Sequence, residues 1–155
     1  MAPDRTRRFL LLVVLLFLLS LGAIGCGSQT QVAEVSGVVL LDGKPMRDAL
    51  VEFCPDPEKG THGPVSAATT DEEGRFYLVS HDQRDGAVVG SHRVLIQDAR
   101  SIPQAVTDFK RVKPPPLQPS RISHIYGNAA STPLRQEVKP GSQTLTLEIK
   151  SKAGK

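Results

Sequence analysis

The chain has 155 residues, enough for one domain, and it carries 19 basic and 16 acidic side chains for a formal net charge of +3. It contains only two cysteines, so a framework of several disulfides is excluded. No basic patch with interleaved aromatic residues occurs, which argues against nucleic-acid binding.

The first 25 residues have the organisation of a removable secretory signal peptide. Three arginines precede the wholly apolar run 9–19, and small residues follow it. The alternative is a retained transmembrane helix, but the apolar run is shorter than the roughly 20 residues that a spanning helix needs. Residues 1–25 hold three of the arginines and one aspartate, so their removal leaves 16 basic and 15 acidic groups. The basic character of the whole chain is therefore partly a property of the signal.

The stretch "LGAIGC" at the end of this signal resembles the lipobox of bacterial lipoproteins. It departs from the usual pattern at Ala23, where leucine is common. The resemblance implies that Cys26 is diacylated on sulfur and becomes the first residue of the mature protein. Two or three acyl chains hold a protein firmly on a bilayer, whereas one binds marginally. We therefore expect a membrane partner reached through an N-terminal lipid anchor.

The lipobox resemblance also implies a location. We expect a lipid-anchored protein of the cell envelope that faces the periplasm or the cell exterior. Gly27 stands where an aspartate would be the usual signal for retention in the inner membrane, and this favours the outer membrane. With lipid on Cys26, Cys54 has no partner in the same chain. It is then either a small buried apolar residue or a free thiol.

Downstream of the anchor, residues 26–33 read as the lipidated cysteine and a short flexible tether. From residue 34 onward, apolar and polar residues alternate with a period of two, which is typical of strands. Asp42–Gly43 supplies the first tight turn, and the acidic stretch ending at Gly74 supplies another. The ending "PLRQEVKPGSQTLTLEIKS" is interpreted as a hairpin that turns at Pro140–Gly141.

The alternation predicts which side chains face the core. No stretch after the signal has helical periodicity, so the sequence predicts an all-β, antiparallel β-sandwich of six or seven short strands. The residues expected to share a face of their strand are Ala49, Val51 and Phe53; Phe76 and Leu78; Val94 and Ile96; and Leu145, Leu147 and Ile149. Of these, Phe53 and Phe76 are expected to fill the core.

Residues 99–133 interrupt this rhythm with several prolines, including Pro114–Pro115–Pro116, and several basic residues. A connection of this length without strand pattern is either a functional loop or a disordered one. A polyproline II segment can dock in an aromatic groove of a partner. The basic residues around the prolines can also attract anionic envelope polymers. The alternative is a solvated linker. The residues predicted to bind a partner are Lys110, Arg111, Lys113 and Arg121.

Four stretches together carry a second resemblance: "VSGVVLLDGKPMRDALVEF", "TTDEEGRFYL", "GSHRVLI" and "IYGNAASTPLRQEVKPGSQTLTLEI". They resemble small bacterial lipoproteins with one carboxypeptidase-regulatory-like domain, and the resemblance covers residues 34–150. It implies a seven-stranded prealbumin-like (transthyretin-like) sandwich. The matching residues serve the fold: Gly37 allows a bulge or close approach, and Gly43 and Gly74 allow tight turns.

We expect no catalytic residues. Serine, histidine and aspartate occur, but the Gly-x-Ser-x-Gly elbow does not. The fold resemblance brings in transthyretin-like hydroxyisourate hydrolases, which end in Tyr-Arg-Gly-Ser, whereas this chain ends in "IKSKAGK". A hydrolase is therefore the third alternative, after a non-catalytic module that binds an envelope protein or polysaccharide and a passive structural or carrier lipoprotein.

We also expect no metal and no cofactor. The four histidines, His62, His81, His92 and His124, lack the paired spacing of a zinc site. The acids of the turn 71–74 are adjacent, whereas a calcium loop spaces its carboxylates and adds carbonyl ligands.

Overall fold

The computed structural model describes residues 30–103 and 116–152. The predicted signal peptide, Cys26 and the cations Lys110, Arg111 and Lys113 lie outside the described residues. Among those described, the chain forms strands and three short 3₁₀ turns, at Pro57–Lys59, Ala99–Ser101 and His124–Gly127. None of these turns has the length and apolarity needed to cross a membrane. The strands are β1 (Val32–Ala33), β2 (Val35–Leu41), β3 (Lys44–Pro45), β4 (Ala49–Pro55), β5 (Ser66–Thr69), β6 (Arg75–Tyr77), β7 (Val79–Ser80), β8 (Ala87–Val88), β9 (Gly90–Asp98), β10 (Arg135–Val138) and β11 (Gln143–Ile149).

The strands form two main sheets and one small one, which confirms the all-β class. The larger sheet has the order β10-β9-β4-β5-β7, with antiparallel neighbours throughout. The second has the order β11-β2-β3, and β6 also pairs with β2. The third is the short antiparallel pair of β1 and β8.

Inward-facing side chains of both main sheets form one hydrophobic core, as the alternation predicted. Ala49, Val51 and Phe53 are fully buried on β4, and the rings of Phe53 and Phe76 lie 6.5 Å apart. Along β6 and β7, Phe76 and Leu78 are buried whereas Tyr77 and Val79 are exposed. Burying such apolar side chains is the main stabilising contribution to a fold of this kind.

Gly37 and the first turn behave as expected. A Cβ at Gly37 would collide with the carbonyl oxygen of Leu145 on β11 and lie 2.7 Å from Cζ of Phe76 on β6, so only glycine fits here between the two strands that pair with β2. Asp42 and Gly43 both have positive φ, at 51° and 80°, as a two-residue hairpin between β2 and β3 requires.

The predicted hairpin over residues 133–151 is wrong. β10 pairs with β9 in the larger sheet, whereas β11 pairs with β2 in the second sheet, and the intervening turn crosses from one sheet to the other. The pairing of β11 with β2 is parallel, so the sheets are not wholly antiparallel. Alternation reports which face of a strand is buried, and it does not report which strand lies beside it.

The domain begins two residues earlier than predicted. Val32 and Ala33, assigned to the tether, form β1, which pairs with Val88 and Ala87. Ala33 is buried in the core. Residues 32 and 33 of the predicted tether therefore belong to the fold.

β9 is the longest strand, and its two ends define two ends of the molecule. The Gly90 end holds the start of the described chain, because the Val89 amide donates to the carbonyl of Gln31 (2.9 Å). The Asp98 end holds the beginning of β4, since Ala49 is the register partner of Asp98. A nine-residue strand separates these ends by roughly 27 Å.

Candidate functional site

The proline-rich basic segment leaves and rejoins the fold at the Asp98 end. It departs after the 3₁₀ turn Ala99–Ser101, and the Gln118 amide donates to the carbonyl of Arg100 (3.0 Å) as the chain returns. We call the residues that close this base (98–101 and 118–122) the neck. The neck brings together chain positions some twenty residues apart.

Asp98 is the centre of the neck. Its side chain is completely buried, and it receives Nε and Nη2 of Arg121 at 2.7 Å and 2.9 Å on its two oxygens. The backbone amide of Arg121 adds a third hydrogen bond at 3.1 Å. Arg100 contributes Nε and Nη2 at 3.2 Å and 3.3 Å. A two-pronged guanidinium contact of this kind fixes both position and orientation.

The pKa of Asp98 reflects two opposing effects. Burial alone would raise the pKa of the carboxyl, but the hydrogen bonds from Arg121 and Arg100 outweigh it and hold the pKa well below its usual range. The carboxylate is therefore charged at any physiological pH and keeps both guanidinium groups in place.

Arg121 is consequently part of the fold. Besides Asp98, its Nη2 donates to the carbonyl of Arg47 (2.7 Å), which ties the neck to the chain before β4. Sequence reasoning grouped Arg121 with Lys110, Arg111 and Lys113, but the structure places it against a carboxylate. The missed signal was Asp98, an acidic residue at an inward-facing strand position that required a cationic partner.

The chain after the neck also packs on the core. Ile122 is buried and forms a bridge with Ser151, and Tyr126 is buried with its hydroxyl accepting from the Lys150 amide (3.2 Å). The Lys152 amide donates to the Arg121 carbonyl (3.0 Å). Part of residues 99–133 is thus ordered structure. The segment is therefore not a solvated linker over its whole length.

Two large apolar side chains lie exposed around the Asp98 end. Leu117, 58 % exposed, directly precedes Gln118 of the neck. Ile125, 37 % exposed, lies on the 3₁₀ turn His124–Gly127, which packs against β9. They border the point from which the basic segment emerges.

A second group of charges lies at the Gly90 end. Asp56 is buried, receives Nη2 of Arg93 at 3.0 Å and caps the turn Pro57–Lys59 by accepting from the Glu58 amide. The same Arg93 atom lies 2.6 Å from Glu58. The hydrogen bond from Arg93 holds the pKa of Asp56 below its usual range. The group stabilises a turn, with both of its carboxylates held by the one guanidinium of Arg93.

His92, near the start of β9, is almost completely buried. Its ring lies 5.7 Å from that of Phe53, and Nδ1 contacts the Gly90 carbonyl at 3.0 Å. Nε2 has no hydrogen-bond partner among residues 30–103 and 116–152. Burial lowers the pKa of His92. The ring is a core element of the Gly90 end.

The remaining polar candidates are turn or surface residues. Asp71 organises its turn by accepting from the amides of Glu73 and Arg75 at 3.0 Å and 2.7 Å. Within the described part of the chain, no three His, Cys, Asp or Glu side chains converge as a metal site would require. Cys54 is half-buried and forms no disulfide among the described residues, and burial raises the pKa of its thiol, which disfavours the reactive thiolate.

Comparisons with protein-family models, with curated proteins and with solved structures find no match to this chain. Its function must therefore be argued from its own residues.

Proposed function

We propose that this chain is a lipid-anchored protein of the bacterial cell envelope whose β-domain is a non-catalytic binding module. In this proposal Cys26 carries the lipid, residues 34–150 form a prealbumin-like sandwich of the carboxypeptidase-regulatory-like type, and the segment 99–133 meets the partner. The observation that carries it is that the chain enters the fold at the Gly90 end, whereas the segment leaves from the Asp98 end.

The short tether would orient the domain relative to the membrane. Thr30 is held by Nη1 of Arg84, which donates to its carbonyl at 2.8 Å. The chain from Cys26 to Thr30 reaches about 14 Å when fully extended. A lipid on Cys26 would hold the Gly90 end close to the bilayer, and the length of β9 would carry the Asp98 end up to roughly 27 Å further away.

The chemistry around the Asp98 end suits a partner that carries negative charge. Lys110, Arg111 and Lys113 adjoin the triple proline, and the apolar side chains of Leu117 and Ile125 lie exposed nearby. Interfaces combine exposed apolar anchors with a charged surround in this way. We propose an extracytoplasmic protein or an anionic envelope polysaccharide as the partner.

The neck supports a binding role because it restricts the base of the segment. Arg100 and Arg121 are both fixed on Asp98, so the segment starts and ends at one defined place. Fixing the ends of a segment lowers the entropy that it loses on binding. A passive linker would not need a buried ion pair at its base.

The test removes the segment's charge without touching the neck. We expect that changing Lys110, Arg111 and Lys113 together to serine abolishes a specific adduct when the anchored protein is crosslinked in intact cells. The adduct of the unchanged protein should weaken at high salt, because exposed charges are screened beyond about 10 Å at 0.1 M ionic strength.

A matched control removes three surface cations elsewhere, by changing Lys44, Lys139 and Lys150 to serine. These side chains are exposed. The control should keep the adduct. Equal loss in both variants would show a general charge effect, and identical adducts in all three proteins, or none in any, would favour the alternative of a passive structural or carrier lipoprotein. Intact-mass analysis of the extracted protein tests the lipid on Cys26 separately.

A further inference from the structure

A shallow groove with an exposed aromatic ring lies beside the Gly90 end. Its volume is about 510 Å³, and Tyr77, at 70 % exposure, and Val79, at 39 %, lie along it. Ser36 is the register partner of both Tyr77 and Thr144, and the Ser36 and Thr144 hydroxyls are 3.2 Å apart. We call this the Tyr77 groove, lined by Glu34, Ser36, Tyr77, Val79, Asp85 and Thr144.

The groove adjoins the place where the chain enters the fold. Arg84, whose guanidinium holds the Thr30 carbonyl, accepts at its own carbonyl from the Ser80 amide (2.8 Å). Ser80 follows Val79 on β7, and Val79 forms a bridge with Asp85. The Tyr77 groove is therefore within a few residues of the tether.

The lining of the groove is acidic. Its two ionisable carboxylates are those of Glu34 and Asp85, and no lysine or arginine is among its lining residues. Neither carboxylate forms an ion pair with the described residues. The groove thus combines an amphipathic ring with two carboxylates that no described cation neutralises. This combination suits a surface that is apolar inside and carries cationic groups outside.

We propose that the Tyr77 groove is the surface that rests on the bilayer, with the Tyr77 ring and Val79 at the level of the headgroups and the carboxylates of Glu34 and Asp85 facing lipid ammonium groups. The proposal rests on the lipid at Cys26. The tether's reach of about 14 Å keeps this surface close to the bilayer. Tyrosine is enriched at such interfaces because its ring is apolar and its hydroxyl polar.

The absence of tryptophan from the chain makes a direct test available. In Tyr77→Trp, the new indole is the sole tryptophan, and the exposed position tolerates it. The lipidated full-length variant is placed in vesicles of phosphatidylethanolamine whose acyl chains are brominated at the carbons nearest the headgroup, where they quench tryptophan at the membrane interface. We expect Trp emission to lose more than half of its intensity and to shift to shorter wavelength. The matched control is Leu117→Trp, at the Asp98 end, whose emission should stay unchanged.

Every outcome of the quenching experiment either supports or overturns the proposal. Quenching confined to Tyr77→Trp supports it, and equal quenching in Tyr77→Trp and Leu117→Trp, or no quenching in either, overturns it. Replacing phosphatidylethanolamine with phosphatidylglycerol should reduce the quenching, because it substitutes an anionic headgroup for an ammonium group; unchanged or stronger quenching overturns the ammonium contact. An emission shift with soluble envelope polysaccharide but not with vesicles overturns the proposal in favour of a sugar site.

The intact mass of the variant distinguishes failure of this inference from failure of the proposed lipid anchor. A lipidated but unquenched variant contradicts only the bilayer contact of the Tyr77 groove, and an unlipidated chain contradicts the anchor on Cys26 as well.

Discussion

Asp98 is the single residue on which the neck depends. Its carboxylate is completely buried and is held by the guanidinium groups of Arg100 and Arg121. Removing one partner of a buried ion pair leaves an uncompensated charge, which costs about 3 to 5 kcal/mol. We therefore expect Asp98→Asn to lower the free energy of unfolding by about 3 kcal/mol, measured by urea denaturation.

The control for Asp98→Asn is Arg47→Gln. This change removes an exposed ion pair with Asp48 but keeps the backbone carbonyl that Arg121 contacts. Exposed pairs contribute up to about 1 kcal/mol, so the control should stay close to the unchanged protein. Because the folded-state pKa of Asp98 is depressed, its stabilisation is present above the usual value of 3.8 and is lost as the pH falls below it. Equal stability of Asp98→Asn and the control would contradict this account of the neck.

His92 gives stability a second dependence on pH, in a different range. Its pKa lies below the usual 6.5 in the fold, so the buried ring favours the neutral form. A depressed histidine pKa favours folding above the unfolded-state value, and this advantage is lost as the pH falls through 6.5 towards the folded-state pKa. We expect the midpoint of thermal unfolding to fall between about pH 7 and pH 5, and His92→Leu to flatten that fall.

Exposed His81 provides the comparison. His81→Ser should keep the fall in melting temperature, because its imidazole is in water in both the folded and unfolded states. If His92→Leu retained the full pH dependence, the buried ring would not be its source.

At the scale of the elements, the sequence predicted faces better than neighbours. The period of two placed Phe76 and Leu78 on one face and Tyr77 and Val79 on the other, and the structure buries the first pair and exposes the second. Alternation is a local property of one strand, so it can be read from the residues. The pairing of β11 with β2 joins positions more than a hundred residues apart, and no local pattern encodes it.

The same limit applied to the candidate site. Lys110, Arg111, Lys113 and Arg121 looked equivalent because each is a cation near proline in an irregular stretch. The structure places Arg121 against Asp98, which lies 23 residues earlier at the end of β9. Composition can indicate a basic segment, but only the packed sheet shows which of its charges a buried carboxylate already holds.

At the scale of the whole molecule, the fold has a polarity that two lysines can report. Lys59, beside the Asp56 turn, is exposed at the Gly90 end, and Lys44 is exposed on β3 near the Asp98 end, where Leu41 pairs with it. With lipid on Cys26, the tether's reach of about 14 Å holds Lys59 near the bilayer, and the length of β9 holds Lys44 away from it.

We expect a water-soluble amine reagent to modify Lys59 several-fold more slowly in vesicles than in detergent, and Lys44 at the same rate in both. Mass spectrometry of the modified peptides gives both rates from one sample, so Lys44 is the internal control. Slower modification of Lys44, or of both lysines equally, would mean that the Gly90 end does not face the membrane, and it would remove the argument that the basic segment is presented outward to a partner.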